Sequence, residues 1–365
     1  MIMNVWGFTV LQLSENKQTA SLKPPGMPEP GEFAKNIGLK YVSNSQPGYR
    51  RIKKGKSFSY VDEVGKKVTN PKVLARISAL VLPPAWQDVW ICKNENGHLQ
   101  ATGRDARGRL QYKYHSAWSQ ARNEHKFDKL MLFGTIIGDL RKKIAADLSK
   151  QGMPKEKVVA AVLKIMEETH IRVGNDTYAR ENDSYGLTTI TGDHVQVSGT
   201  KISFNFKGKS GVIHSSSLRD PKLSKIIKRC QELPGEELFA YNDENGNTHD
   251  ITSDDINRYL KENTGQNLTA KDFRTWGASA KAVEILMDKE DVTDLNQTAW
   301  KKCQCEVIKE AASALGNTVA VCRKYYVHPK TFEAAKDGKI RKLRNKVKKP
   351  AGLSEAESIL LALLS

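Results

Sequence analysis

The chain has 365 residues, 39% apolar and 27% charged, the size and balance of an ordinary protein of two globular domains. Its 58 Lys+Arg against 41 Asp+Glu give a formal charge of +17, and such an excess points to a polyanionic partner, nucleic acid first. No apolar run approaches the ~20 residues of a membrane helix, the opening MIMNVWGFTVLQLSEN lacks the basic leader of a signal peptide, and five scattered cysteines suit reduced thiols in a cytoplasm, not a disulfide scaffold or a metal knuckle.

Residues 20–37, ASLKPPGMPEPGEFAKNI, carry four prolines and two glycines, so a flexible leader is expected over 1–37. Alternating, turn-punctuated segments follow over 38–125, where a small strand-rich domain with many exposed Arg and Lys is expected. SFSYVDEVGKKVT and DVWICKNENGHLQATGRD read as hairpins and RGRLQYKYH as a further strand. PKVLARISALVLPP has helical spacing and ends at Pro83-Pro84. Alternation puts Tyr112 and Tyr114 on one strand face, either a buried packing face or a contact surface.

From about 126 the period becomes helical, in KLMLFGTIIGDLRKKIAADLSK and KEKVVAAVLKIMEETH. Between 187 and 214 it switches to two: LTTI, HVQVS, KISFNF and VIHS, separated by glycine-bearing turns, predict an antiparallel meander. The acidic NDENGNTHD at 242–250 lacks the ligand spacing and terminal Glu of a calcium loop and reads as a hairpin turn. Helices dominate to 335; in DLNQTAWKKCQCEVIKEAASALGN the apolar positions run Trp300, Cys303, Val307, Ala311 and Ala314, and Gly316 is a stop signal. Residues 126–335 are expected to form one mostly helical domain with a small inserted sheet, and 336–365 a basic C-terminal tail opening with KDGKIRKLRNKVKKP. The fold class is α+β.

The chemistry-bearing residues sit at punctuation points. Arg172 follows a helix and precedes a Gly-Asn turn; Lys209 lies at a glycine-flanked hairpin tip; Arg274 is near the start of a helix, beside Phe273 and Trp276; Asn317 is the first polar group after the Gly316 stop. Two adjacent tyrosines, Tyr325 and Tyr326, follow Arg323 and Lys324. A tyrosine that attacks a phosphodiester must lose a proton with a pKa near 10, at a cost of about 4 kcal/mol at neutral pH. Negative charge then builds on phosphorus, and planar guanidinium forks suit its oxygens. A lysine can protonate the departing alkoxide. Spacing alone leaves open which tyrosine would act.

In the order Arg172, Lys209, Arg274, Asn317, tyrosine, and in the motifs LPPAWQDVWIC, GRDARGRLQYKYH, IRVGNDTYARENDSYGLTTI, FKGKSG, DFRTWGAS and LGNTVAVCRKYYVHP, residues 38–332 resemble type IB DNA topoisomerases of the bacterial and poxvirus kind. The resemblance implies a strand-rich N-terminal domain and a larger helical catalytic domain, acting as a monomer that clamps double-stranded DNA, without metal, ATP or other cofactor. It implies a cytoplasmic, nucleoid-associated enzyme that relaxes supercoils through a 3′-phosphotyrosyl intermediate. The family nucleophile follows the His/Asn position by nine residues, which selects Tyr326. Arg172, Arg274 and Asn317 would hold the nonbridging oxygens, Lys209 would protonate the leaving oxygen, and Gln111, Tyr112 and Tyr114 match DNA-contacting positions. Asn317 departs from the histidine of some relatives, though an amide still donates a hydrogen bond.

Two rival readings fit less well. A tyrosine recombinase shares the Arg-Lys-Arg-Tyr set but usually places His three residues before the second arginine, where this chain has Lys271. A non-catalytic DNA-binding protein would need the basic charge alone and leaves the ordered polar series without a reason. The GKS of FKGKSG is no P-loop, because that motif needs glycine where Ser203 stands.

Overall fold

The computed structural model describes residues 29–365 other than 56, 107, 125–126 and 290. The chain begins there with α1 (Pro30–Asn36), β1 (Gly48–Lys54), β2 (Ser57–Val61), α2 (Pro71–Ala79), β3 (Gln87–Cys92), β4 (Leu99–Arg104), β5 (Leu110–Tyr114) and α3 (Ser116–Glu124). The strands form one antiparallel sheet in the order β2-β1-β3-β4-β5. β3 from Val89 on and β4 up to Gly103 are buried on successive residues, because both faces are covered. Val89, Ile91 and Ala101 pack with Ile77 of α2, while Trp90, Cys92 and Leu99 pack with Val42. α2 starts where Asn70 Oδ1 accepts from the Lys72 amide at 2.9 Å and Pro71 occupies the first helical turn.

Two local readings change. β2 pairs along its length with β1, whose sequence GYRRIKK carries no apolar alternation; the expected SFSYVDEVGKKVT hairpin is reduced to a short turn, where Val61 bridges Lys67 and the Asp62 and Val68 amides donate to the Lys66 and Tyr60 carbonyls at 2.9 Å. β1 is legible only through its partners. The leader expected over 1–37 lies outside the described residues up to 28. Beyond that, α1 is ordered by burial of Phe33 and Ala34 against Trp118 of α3, the Phe33 and Trp118 rings meeting edge to face at 5.2 Å.

The second, helical part runs α4 (Asp128–Leu148), α5 (Lys155–Thr169), α6 (Asp176–Asn182), β6 (Val195–Ser198), β7 (Lys201–Lys207), β8 (Ile213–Arg219), α7 (Pro221–Gln231), β9 (Ala240–Asn242), β10 (Thr248–Asp250), α8 (Ser253–Thr264), α9 (Ala270–Asp288), α10 (Gln297–Ala314), α11 (Val319–Tyr325), α12 (Lys330–Lys336), α13 (Lys339–Arg344) and α14 (Glu355–Leu364). α5 is the axle. Val158 through Leu163, with Ile165 and Met166, are all buried, as expected of a helix that is apolar around most of its circumference. One contiguous core extends from Phe127 to Leu360. β6-β7-β8 form the inserted antiparallel sheet, and β9-β10 are the hairpin read from the acidic stretch.

LTTI is not a strand. Leu187–Thr189 form a 3₁₀ turn whose Leu187 and Thr188 amides donate to the Arg172 and Val173 carbonyls at 2.9 and 2.6 Å, so this segment ties down the loop after α5 instead of joining the sheet. The segment 336–365, set apart as a tail in the sequence, is folded onto the helical core. Ile359 and Leu360 of α14 are fully buried there. The Glu357 carboxylate, also buried, accepts from Arg141 of α4 at 2.7 and 2.9 Å, from Trp276 Nε1 of α9 at 2.8 Å and from the Ser354 amide at 2.8 Å. Together these changes give α+β architecture: a five-stranded sheet module followed by a helical body with a small inserted sheet.

Candidate active site

Each site residue is delivered by a different element, and each for a local reason. Arg172 lies in the loop after α5, where His170 takes a left-handed conformation (φ 53°) as the helix C-cap, turning the chain out of the helix axis. Lys209 sits at the exposed tip between β7 and β8, closed by the Gly208 amide donating to the Val212 carbonyl at 2.8 Å. α9 begins with Thr269, whose amide and hydroxyl meet the Asp272 carboxylate at 2.8 and 3.0 Å. That start sets Lys271 and Arg274, three apart, on neighbouring positions of one face. Gly316, at φ 58°, ends α10 and releases Asn317, whose amide donates to the Ala312 carbonyl at 2.9 Å. α11 then runs to Tyr325, and Tyr326 is its C-cap.

Arg172, Lys209, Lys271, Arg274 and Tyr326 converge on one cavity of about 270 Å³, completed by Val173, Gly174, Asn175, Ser184, Tyr185 and Ala270. Four cations and two phenols, Tyr326 and Tyr185, line it, and among the described residues no carboxylate does. Asn317 stands behind the cavity, its Oδ1 accepting from Arg172 Nη2. Lys271 is the member that sequence reasoning missed: in the sequence it stands out only as a departure from the recombinase pattern. Its place three residues before Arg274 on one helix face was the available signal.

Arg274 is 3% exposed, and no acid among the described residues holds it. Nη1 donates to the His170 carbonyl and Nη2 to the Leu315 carbonyl at 2.9 Å. These are the C-caps of α5 and α10, so the guanidinium closes the negative ends of two helix dipoles and consumes carbonyls that would otherwise be orphaned. Its charge is left uncancelled. Burial, and then the Arg172 charge, lower its pKa to about 10. Two donors in this cluster, Arg274 Nε and Asn317 Nδ2, are buried without a hydrogen-bond partner among the described residues. Leaving a buried donor unmet costs about 1–3 kcal/mol, which an anionic acceptor reaching it would recover.

The two tyrosines part company here. Tyr326 is half-buried with Arg274 over its ring, 5.3 Å from guanidinium carbon to centroid. Burial by itself would raise its pKa, but Arg274 beside it, then Arg172 and Lys271, outweigh burial and hold the phenol below its ordinary value. Tyr325 is 40% exposed and lines a separate depression with Tyr41, His98, Tyr114, Trp118 and Arg122 of the sheet module. On β5, Tyr112 and Tyr114 are 50% and 41% exposed with rings stacked 6.0 Å apart, so they form a surface and not a packing face. Gln111 Nε2 donates to Asp105 Oδ2 at 2.9 Å at the edge of the same strand.

Residues 115–351 match the family model described as eukaryotic DNA topoisomerase I, catalytic core, and residues 57–105 match that of the bacterial DNA topoisomerase IB N-terminal domain. DNA topoisomerase 1B of Acanthamoeba polyphaga mimivirus is 35% identical over 291 residues, which span 78% of this chain and 87% of the viral protein. DNA topoisomerase 1B of vaccinia virus (strain Copenhagen) and DNA topoisomerase I of monkeypox virus are each 22% identical over 307 residues, 84% of this chain and 87% of theirs. With matches that cover both the sheet module and the helical body, this chain belongs to the type IB DNA topoisomerases.

Proposed function

We propose that this chain, an isomerase by family, relaxes supercoiled duplex DNA with Tyr326 as nucleophile and with Arg172, Lys209, Arg274 and Asn317 as the groups that hold and discharge the phosphodiester. The observation that carries the reading is the cavity in which a phenol with a lowered pKa meets four cations and no acid. In the forward step Tyr326 Oη bonds to a DNA phosphorus and the bond from phosphorus to O5′ breaks. The phenolic proton passes to solvent, and O5′ takes a proton from the Lys209 ammonium, which solvent restores. Arg172, Arg274 and Asn317 Nδ2 donate to the nonbridging oxygens, where donors of this kind are worth about 3–4 kcal/mol each. The product is a 3′-phosphotyrosyl bond and a free 5′-hydroxyl. One phosphoester replaces another, so reversal needs no energy input, and the free strand rotates before religation. The side-chain cations supply the charge stabilisation that this step requires.

Lys271 belongs to this group as a fifth contributor, through its charge on Tyr326. The exposed Tyr112–Tyr114 pair and Gln111 provide the DNA-contacting surface of the sheet module. The division near residue 125 separates two halves of a monomeric clamp around duplex DNA, with residues 336–365 counted in the catalytic half. No helix among the described residues is long and apolar enough to cross a membrane.

The deciding experiment is plasmid relaxation in EDTA without ATP, comparing the wild type with Tyr326→Phe and Tyr325→Phe. Wild type and Tyr325→Phe relax positive and negative supercoils, while Tyr326→Phe binds DNA and relaxes neither. Loss of activity in Tyr325→Phe with retention in Tyr326→Phe would reassign the nucleophile, and an inactive wild type would overturn the reading.

A further inference from the structure

His214 stands at the beginning of β8, five residues after Lys209 and outside the cavity lining. Its ring stacks on the buried Phe206 of β7, with centroids 5.4 Å apart and planes 14° from parallel. Two glycines press on its edges. A Cβ at Gly208 would fall 2.3 Å from Cδ2 of the ring, and a Cβ at Gly316 would fall 2.5 Å from Cε1. Gly316 needs glycine for its backbone in any case, at φ 58°. Gly208 does not: φ −96° and ψ −166° suit any residue, so the imidazole is what excludes a side chain there. These two glycines immediately precede Lys209 and Asn317. One ring therefore touches the backbone just before the proposed general acid and just before the amide that orients Arg172.

We infer that His214 is a positioning residue: its ring is the spacer that sets the β7–β8 tip, and with it Lys209, at a fixed distance from the α10–α11 turn that carries Asn317. The inference rests on the function proposed above. Burial, then the Arg172 and Arg274 charges, push the His214 pKa below its ordinary value, so the spacer is a neutral ring that adds no charge to the cluster. The base of the hairpin is tied by Lys207, which pairs with Asp183 at 2.9 Å and accepts from the Tyr185 amide at 2.8 Å, whereas Val212 and Ile213 on its returning side are 47% and 64% exposed. If the ring is lost, the tip moves relative to the phosphate, and proton delivery to O5′ suffers before nucleophilic attack does.

The leaving group separates these steps. A thiolate departs without needing a proton, so sulfur at the 5′-bridging position of the scissile bond makes Lys209 dispensable. Single-turnover cleavage is measured on a duplex whose cleavage site has been mapped with the wild-type enzyme, with oxygen or sulfur at that position. His214→Ala is expected to cleave the oxygen substrate about 10- to 100-fold more slowly, the usual cost of a misplacement near 1 Å. On the sulfur substrate it should come within a few-fold of wild type. His214→Phe, which keeps a planar ring against Phe206, should recover most of the oxygen-substrate rate. Equal losses on both substrates, or no loss on either, would overturn the inference. Lys209→Ala is the control: if sulfur does not rescue it, the general-acid assignment itself fails, whereas rescue of Lys209→Ala without rescue of His214→Ala sinks only the role of His214. Should His214→Ala not fold, Gly208→Ala tests the same contact from the other side, and there too sulfur should rescue more than oxygen.

Discussion

Arg274 and Tyr326 face each other at 5.3 Å across the wall of the cavity, and the arginine is held there by the carbonyl ends of two helices. An acid in that role would have cancelled the charge that lowers the phenol. Neutral carbonyls fix the fork and leave its positive charge to act on Tyr326 and on an incoming phosphate. Arg274→Lys is therefore more than a conservative change. A single ammonium cannot span the His170 and Leu315 carbonyls while also presenting a donor to substrate. Single-turnover cleavage should fall by about 10²–10³-fold, the usual loss for one such donor, with DNA binding in a filter or gel assay changed far less.

The Lys271 charge helps hold the Tyr326 pKa down, so a loss on its removal that arises there should be corrected by pH. Without it the Tyr326 pKa rises toward the ordinary phenol value. Lys271→Ala should cleave several-fold more slowly at neutral pH and approach the wild-type rate in alkaline buffer. A deficit that stays constant across the pH profile would assign Lys271 to phosphate binding instead.

Stability should also depend on pH, through His170. Burial, followed by the Arg274 and Lys281 charges, lowers its pKa from 6.5 to about 4. Between those values the unfolded chain binds a proton that the folded chain refuses. Folding is accordingly at full strength above pH 6.5 and weakens as the pH falls toward 4, by up to about 3 kcal/mol from this one group. His214 is shifted the same way and adds to the slope. Urea denaturation at pH 7 and pH 5 measures the effect, and a residue that cannot titrate, in His170→Gln, should flatten it.

The C-terminal helix is part of the machinery by packing. Arg141 pairs with Glu167 at 2.7 Å and with Glu357 at 2.7 and 2.9 Å, and the Glu357 carboxylate also receives the Trp276 indole of the helix that carries Arg274. Removing Arg141 leaves a buried carboxylate without its cation. Arg141→Ala should cost about 3–5 kcal/mol, read as a large drop in the thermal midpoint, while the cleavage rate measured well below that midpoint falls only modestly. A midpoint within a degree or two of wild type would refute the account.

What the sequence determined by itself was local or ordinal. Helices and strands with a clear apolar period, such as α4 or β7, could be read from the chain, and so could the ordered series of Arg172, Lys209, Arg274, Asn317 and a tyrosine. β1 could not, because GYRRIKK has no period and forms a strand only where β2 and β3 offer partners. α14 looked like part of a tail because its burial depends on Arg141 and Trp276, 216 and 81 positions away from Glu357. The cavity has the same origin: Arg172 reaches Asn317 across 145 positions, and Arg274 reaches the end of α5 across 104. Periodicity is written in neighbouring residues. The lowering of a phenol's pKa, the lodging of an arginine on two helix ends and the wedging of His214 between two glycines depend on burial and distance between remote segments, which only the packed chain decides.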